Sequence, residues 1–155
     1  MNKVEALRTL GHAFGELGLA GSGRKFRREY DELLWLIDLA TIPRTERIGI
    51  TVGVCPLVLA PEGLPKVAND CPVIFIPENG GEPLGIEPSR AWAALDLSVD
   101  LVEETRCKEL TMLATSIVDL VDETSRVDDL KHLAAQGRLR AILRRDAREL
   151  VALER

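Results

Sequence analysis

A chain of 155 residues has the length of one ordinary domain and is long enough to bury a core. Hydrophobic residues make up 46% of the chain and charged residues 29%, a composition typical of a folded soluble protein and not of a disordered one. The formal net charge is −5, with 15 carboxylates against 5 cations in residues 51–130, which argues against general affinity for nucleic acid or an anionic membrane.

The apolar runs and the cysteines together predict a cytoplasmic protein. The apolar runs have the length of strands and are interrupted by charges, so neither a membrane span nor a signal peptide is expected. Cys55, Cys71 and Cys107 are odd in number and widely spaced. This spacing argues against a disulfide framework and indicates a reducing compartment.

The first predicted element is a helix over residues 2–19. Its apolar residues recur at spacings of three and four, which places them on one stripe facing a core. These residues are Val4, Leu7, Leu10, Ala13, Phe14 and Leu17. Gly18 and the glycine-rich run at residues 21–23 are expected to end the helix.

A strand is predicted to start near Lys25 and to turn around Asp31 into residues 33–59, the longest apolar stretch of the chain. This stretch predicts two strands joined by a short connection that contains Pro43, the second strand continuing to Leu59. In its second half, Ile48, Ile50, Val52 and Val54 alternate with less apolar residues. A period of two indicates a strand with one face on a core. Residues 33–37 are all apolar, which indicates a strand covered on both faces.

Beyond a loop at residues 60–69, residues 71–77 predict a strand that is short or at a sheet edge, because prolines flank it. Residues 78–88 contain too many Gly and Pro residues for regular structure and are expected to form a loop. Ser89 is expected to cap the next helix, one face of which carries Trp92, Leu95, Val99 and Val102. A further helix is predicted over residues 108–122, where Leu110, Leu113 and Ile117 recur at helical spacing. Residues 127–135 are predicted to begin another, with Gly137 as its break, and the last helix is predicted from 139 to the end.

This order of elements predicts an α+β fold in a single domain, residues 1–155. An N-terminal helix precedes an antiparallel sheet of about four strands, and a helical C-terminal half packs on the sheet. The helix and sheet occupy residues 1–77, the loop residues 78–88 and the helical part residues 89–155. A parallel sheet is not expected, because the connections between the strands are too short for helical crossovers.

The usual chemical motifs are weak in this sequence. Residues 21–25 have the composition of a phosphate-binding loop but follow a helix and precede a strand, so we interpret them as a turn, with an anion contact as the alternative. His12 and His132 lack the spacing of metal ligands, and no metal or cofactor is expected. A nucleophilic pair of Cys55 or Cys71 with a histidine stays open, although cysteines beside strands are usually buried small hydrophobes.

Two charged patterns have both a structural and a functional interpretation. Arg140, Arg144 and Arg148 are spaced four apart and predict a ridge on the last helix. Asp119 and Glu123 share one side of an earlier helix with Asp122. We interpret both sets as solvated faces. For the arginines, the alternative is a site that binds an acidic partner or a phosphate backbone. For the carboxylates, the alternative is a site for a divalent ion or a basic partner.

Gly49 and Gly53 lie on the less apolar face of their predicted strand. Glycine in a strand often marks the close approach of a bulky neighbour or a ligand. Trp35 on the preceding strand is the expected neighbour. The alternative is a shallow groove bounded by Trp92.

Residues 4–59 resemble the bacterial family catalogued as domain of unknown function 4304. The resemblance rests on the segments ELGLAGSG, RKFRREY and LLWLIDL and on a strand with the pattern Ile-x-Val-Gly-Val. This chain departs from the family at two places. The family is expected to end its second strand with a Gln-Lys-Ser-like sequence, where this chain has Leu39, Ala40 and Thr41. The family is also expected to have a tryptophan-rich patch before the helices, where this chain has only Trp92. The family has no established activity, so the resemblance implies an α+β fold and a non-enzymatic bacterial protein.

The leading functional hypothesis is a small non-enzymatic module, monomer or homodimer, that binds another protein. An immunity or antitoxin-like role against a basic partner would suit the acidic surface. The alternative is a small-ligand-binding protein or enzyme with a groove near Trp35, Gly49 and Gly53. A third hypothesis is a nucleic-acid contact through the arginine ridge.

Overall fold

The computed structural model describes residues 1–77, 87–138 and 142–152 and has the predicted α+β architecture. The helices are α1 (Lys3–Glu16), α2 (Pro88–Leu95), α3 (Glu103–Glu123), α4 (Val127–Ala135) and α5 (Arg145–Val151). The strands are β1 (Ala20–Ser22), β2 (Lys25–Glu29), β3 (Leu33–Thr41), β4 (Ile48–Pro56), β5 (Val73–Phe75) and β6 (Ile142–Leu143). Two short 3-10 helices, Leu57–Leu59 and Ala68–Asp70, lie between β4 and β5.

Within the described residues, six strands form one antiparallel sheet in sequence order, β1 to β6, where about four strands were expected. The two additional strands lie at its edges. β1 is formed by the glycine-containing segment that the sequence predicts as a turn, and β6 is only two residues long. In the centre, Trp35 lies opposite Val54, and Leu36 lies opposite Gly53. Consecutive side chains of β3 therefore project from opposite faces of the sheet.

One face of the sheet packs against the helices and carries the main core. The alternating residues Ile48, Ile50, Val52 and Val54 of β4 are all buried here, which confirms the predicted strand with one face on a core. Members of the same core come from each helix that the described residues contain: Leu10 and Phe14 of α1, Leu95 of α2, Leu113 and Ile117 of α3, Leu130 of α4 and Ala147 of α5. The helical half is therefore packed on the sheet, as predicted.

The other face of the sheet is covered by residues 57–71. A second, smaller apolar cluster forms there from Leu34, Leu36, Cys55, Ala68 and Cys71. This covering explains why every residue from 33 to 37 is apolar and buried. It also contradicts the prediction that the strand continues to Leu59, because the chain leaves β4 in a 3-10 helix and crosses over the sheet.

Arg106 of α3 fixes the end of α2. Its side chain is only 3% exposed and donates hydrogen bonds to the carbonyl oxygens of Ala93, Ala94, Asp96 and Val99. Carbonyls at the C-terminus of a helix lack partners within the helix and carry its negative dipole end. A buried cation at this point satisfies them and binds the connection between α2 and α3 to the core.

This connection begins earlier than the sequence predicts. α2 ends at Leu95, so Val99 and Val102 do not continue its face, and Val102 is 72% exposed at the start of α3. Ser89 is not the cap, because Pro88 occupies the first helical turn and Glu87 is the capping residue. A proline pre-sets the backbone for that position. The predicted loop at residues 78–88 otherwise lies outside the described residues.

The prediction of a final helix from residue 139 is wrong at residues 142–144, and residues 139–141 lie outside the described residues. Ile142 and Leu143 pair with β5 instead of continuing a helix, and the amide of Arg144 donates to the carbonyl oxygen of Pro72. α5 therefore begins only at Arg145. The physical reason is that the edge of β5 has unpaired backbone amide and carbonyl groups. Ile142 and Leu143 pair with them as a strand, which one more helical turn would not do.

No helix in the described parts of the chain is both long enough and apolar enough to span a membrane.

Candidate interaction surface

The C-terminal end of α3 is fixed to the sheet by two aromatic side chains. The indole Nε1 of Trp35 donates to the carbonyl oxygen of Thr124 at 2.8 Å, and the hydroxyl of Tyr30 donates to that of Val121 at 3.0 Å. Thr124 is the residue that follows the last turn of α3, and the carbonyl of Val121 also accepts from the amide of Thr124 at 3.3 Å. A further hydrogen bond joins the turn after β2 to the start of α4: Oε1 of Glu32 accepts from the amide of Val127 at 3.2 Å.

These contacts bring the turn between β2 and β3 against the junction of α3 and α4. Carboxylates from two distant parts of the sequence thus lie at one end of the molecule. We call this surface the acidic corner. Its members are Asp31 and Glu32 from the turn, Asp119, Asp122 and Glu123 from α3, and Asp128 and Asp129 from α4. All of them are exposed except Asp129, which is partly buried.

Three of these carboxylates form ion pairs or hydrogen bonds within the protein. Asp122 forms an ion pair with Arg28 of β2, Asp129 accepts from the amides of Ser125 and Arg126 at the start of α4, and Glu32 holds Val127. Within the described parts of the chain, Asp31, Asp119, Glu123 and Asp128 have no such partner. The acidic corner therefore presents to solvent four carboxylates that have no partner among the residues that the structure describes.

The carboxylates of α3 are placed where they destabilise the helix. The last turn of α3 contains no basic residue, so its negative charges lie at the negative end of the helix dipole. Asp119 and Glu123 are also like charges spaced four residues apart, an arrangement that disfavours a helix by a few tenths of a kcal/mol. Solubility alone does not require this placement.

The structure separates the predicted groove residues. Trp35 lies on the helix-facing side of the sheet, is fully buried and stacks on Phe75. Gly49 and Gly53 lie on the opposite face, because they alternate with the buried residues of β4. The prediction of a groove shared by Trp35 and these glycines is therefore wrong.

The neighbours of the two glycines are also different from those expected. A Cβ at Gly53 would lie 2.5 Å from the carbonyl oxygen of Ala68 and 2.7 Å from Sγ of Cys71, so the covering segment 57–71 requires glycine there. At Gly49 the neighbour is the side chain of Ile42. Trp92 is 41% exposed on α2, where the guanidinium of Arg47 stacks 3.5 Å from its ring.

The arginine ridge is not continuous. Arg144 is the extended residue before α5, and Arg148 lies one turn further along. Arg144 forms an ion pair with Asp146 at 2.9 Å, and this hydrogen bond raises the pKa of Arg144 and lowers the pKa of Asp146. Arg140 lies outside the described residues. The strand β6 interrupts the helix on which the predicted ridge depends.

The structure also separates the cysteines from the histidines. Cys55 and Cys71 are buried in the cluster on the loop-covered face, whereas His12 lies on α1 and His132 on α4, both of which pack on the other face. Burial raises the pKa of the Cys55 thiol, and it raises the pKa of Cys71 to about 12. Both thiols are therefore protonated near pH 7 and are poor nucleophiles. Among the described residues no cluster of three His, Cys, Asp or Glu side chains could hold a metal ion.

No protein-family model, curated protein or solved structure matches this chain. The resemblance to the family of unknown function stays a prediction.

Proposed function

We propose that this protein is a non-enzymatic interaction module that binds a basic partner protein through the acidic corner. The observation that supports the proposal is the convergence of carboxylates from the turn between β2 and β3 and from the ends of α3 and α4. Four of them have no partner among the described residues. Such a surface offers a partner with exposed Lys and Arg residues a set of charges that it can pair directly.

The position of Asp119 and Glu123 favours this function over a merely solvated face. Helix surfaces that only maintain solubility usually intersperse charges of both signs. In α3 the unfavourable dipole and the like-charge pair lower the stability of the folded protein, and a bound cationic partner would relieve both. A strongly acidic surface also accelerates association with a basic protein. Neutralisation of a basic toxin is one role that needs rapid association.

The proposal can be tested by comparing two variants with four neutralised carboxylates each. The first, D31N/D119N/E123Q/D128N, changes the unengaged members of the acidic corner. The matched control, E46Q/D100N/E103Q/E104Q, changes four exposed carboxylates near the other end of α3, about 30 Å away for a helix of 21 residues. Both variants have the same net charge.

The partner is first captured from nuclease-treated host lysate on the tagged wild-type protein and then purified. We expect its association rate constant at low ionic strength to fall about tenfold or more with the acidic-corner variant and less than about twofold with the control. The wild-type rate should also decrease steeply with added salt. Equal effects of the two variants, a partner without a basic surface, or no protein partner at all would contradict the proposal.

A further inference from the structure

A cleft of about 410 Å³ lies on the loop-covered face of the sheet, away from the helices. It opens between β2 and the residues 64–66 of the covering segment, at the point where that segment crosses from β4 over β3. The volume falls within the range in which proteins hold small organic ligands. Nothing in the acidic corner contributes to its lining.

The floor of the cleft is apolar. Leu34 and Leu36 of β3 form it, and they are 2% and 7% exposed. On the lip, Leu64 is 41% exposed and lies beside Pro65. An exposed leucine next to a floor of buried leucines provides a continuous apolar path from solvent into the cleft.

The lining of the cleft contains three cations and one carboxylate, Asp38, so its net charge is positive, although the protein as a whole carries a charge of −5. Two of its three cations already have a partner: Lys25 lies 3.6 Å from Asp38, and Arg27 lies 2.6 Å from Glu29. Asp38 is further engaged by the amide of Ala68, which donates to Oδ2 at 2.8 Å. The third cation, Lys66, has no ion-pair partner within the described ranges and stands on the lip next to Pro65.

We propose that this cleft binds a small amphipathic anion, an apolar chain that ends in a carboxylate. The chain lies over Leu34 and Leu36 and packs against Leu64, and the apolar surface that it removes from water belongs mainly to Leu64, which is 41% exposed. The carboxylate pairs with Lys66, the cation left without a partner, and lies within the positive field of Lys25 and Arg27. A cationic or uncharged molecule of the same length gains the apolar contact but not the pairing, so the cleft selects for negative charge.

Decanoate, below its micelle concentration, is the probe for this site, and decyltrimethylammonium is the cationic counterpart with the same chain length. Binding of each to the full chain is measured by isothermal titration calorimetry. Lys66→Glu reverses the charge of the rim, and Leu64→Asp removes the apolar lip. Lys108→Glu, at an exposed lysine of α3, is the matched control for charge reversal. All three positions are exposed, and near-ultraviolet circular dichroism verifies that each variant is folded.

We expect wild-type protein to bind decanoate and to bind decyltrimethylammonium at least about tenfold more weakly. Lys66→Glu and Leu64→Asp should each weaken decanoate binding about tenfold or more, and Lys108→Glu less than about twofold. Three results would overturn the proposal: no decanoate binding at millimolar concentration, equal binding of the two probes, or equal losses in Lys66→Glu and Lys108→Glu.

Discussion

Gly53 and Gly49 occupy equivalent positions on one face of β4, yet the tertiary structure gives them different constraints. At Gly53 an added Cβ would meet backbone atoms of Ala68 and Sγ of Cys71 at less than 3 Å, whereas at Gly49 the nearest atom is Cδ1 of Ile42 at 3.5 Å. The backbone at Ala68 cannot move without disturbing its hydrogen bond to Asp38. The first glycine is therefore required by packing and the second is not.

We predict that Gly53→Ala lowers the free energy of unfolding by about 3 kcal/mol, because the new methyl group forces the covering segment away from the sheet. Gly49→Ala should change it by less than about 0.5 kcal/mol, because its neighbour is an ordinary van der Waals contact. Urea unfolding followed by far-ultraviolet circular dichroism measures both. Equal effects of the two substitutions would show that residues 57–71 do not pack on Gly53 as described.

Cys71 links the stability of the loop-covered face to pH. Burial raises its pKa from 9.0 to about 12, because the thiolate is poorly solvated in the folded protein. The folded protein thus holds this proton more tightly than the unfolded chain does. The stability that this contributes is complete below pH 9 and is lost as the pH rises from 9 toward 12.

We therefore predict that the free energy of unfolding falls between pH 8 and pH 10 by about 1 kcal/mol more in the wild type than in Cys71→Ala. Alanine keeps a small apolar side chain at the site and removes the ionisable group. Urea unfolding at pH 8, 9 and 10 provides the comparison. Parallel loss of stability in the two proteins would mean that Cys71 ionises equally well in the folded and unfolded states.

At the scale of elements, α3 connects the core to the acidic corner. Its buried residues lie at the predicted helical spacing, and Arg106 near its N-terminus binds the end of α2. Its C-terminal carbonyls are satisfied by Tyr30 and Trp35. Both ends of α3 carry carboxylates, but the helix dipole makes Glu103 and Glu104 favourable and Glu123 unfavourable, and Asp119 adds like-charge repulsion with Glu123.

The two ends should respond to neutralisation with opposite signs. We predict that D119N/E123Q raises the free energy of unfolding by about 0.5–1 kcal/mol, because it removes an unfavourable dipole interaction and a like-charge pair. E103Q/E104Q should lower it by a similar amount. Thermal and urea unfolding at low ionic strength measure both, since salt screens these effects. A change of the same sign in both variants would contradict the dipole argument and remove one support for the proposed function.

At the scale of the whole molecule, the N-terminal and C-terminal parts share one core. The main cluster contains residues of α1 to α5 and of β2 to β5, and β6 returns from the C-terminal part to pair with β5. A sheet of residues 1–77 alone would expose the whole face that α3 covers. The chain is therefore expected to unfold as a unit.

The two tryptophans provide a direct test of this cooperativity. Trp35 is fully buried between sheet and helices, and Trp92 is half-exposed on α2. We predict that Trp92→Phe, which leaves Trp35 as the only reporter, gives a fluorescence transition in urea with the same midpoint as the loss of helix seen by circular dichroism. Separate midpoints would show that the helical part and the sheet unfold independently.

The sequence alone was sufficient for the elements whose signal is local. The alternation of Ile48, Ile50, Val52 and Val54 predicted β4, the helical spacing of Leu110, Leu113 and Ile117 predicted the centre of α3, and residues 127–135 were predicted to begin the helix that the structure shows as α4. These patterns record which face of each element is buried, and they do so without reference to the partner element.

Tertiary structure decided which faces and ends meet. Trp35 and Gly53 lie on neighbouring strands, but a shift of one residue along a strand changes the face, so only the register shows that they cannot form one groove. β6 forms because β5 offers a free edge, which no local pattern reveals. The acidic corner arises in the same way: Asp31 and Asp119 are distant in sequence, and tertiary contacts bring their segments together, among them the hydrogen bonds of Tyr30 and Trp35 to the end of α3.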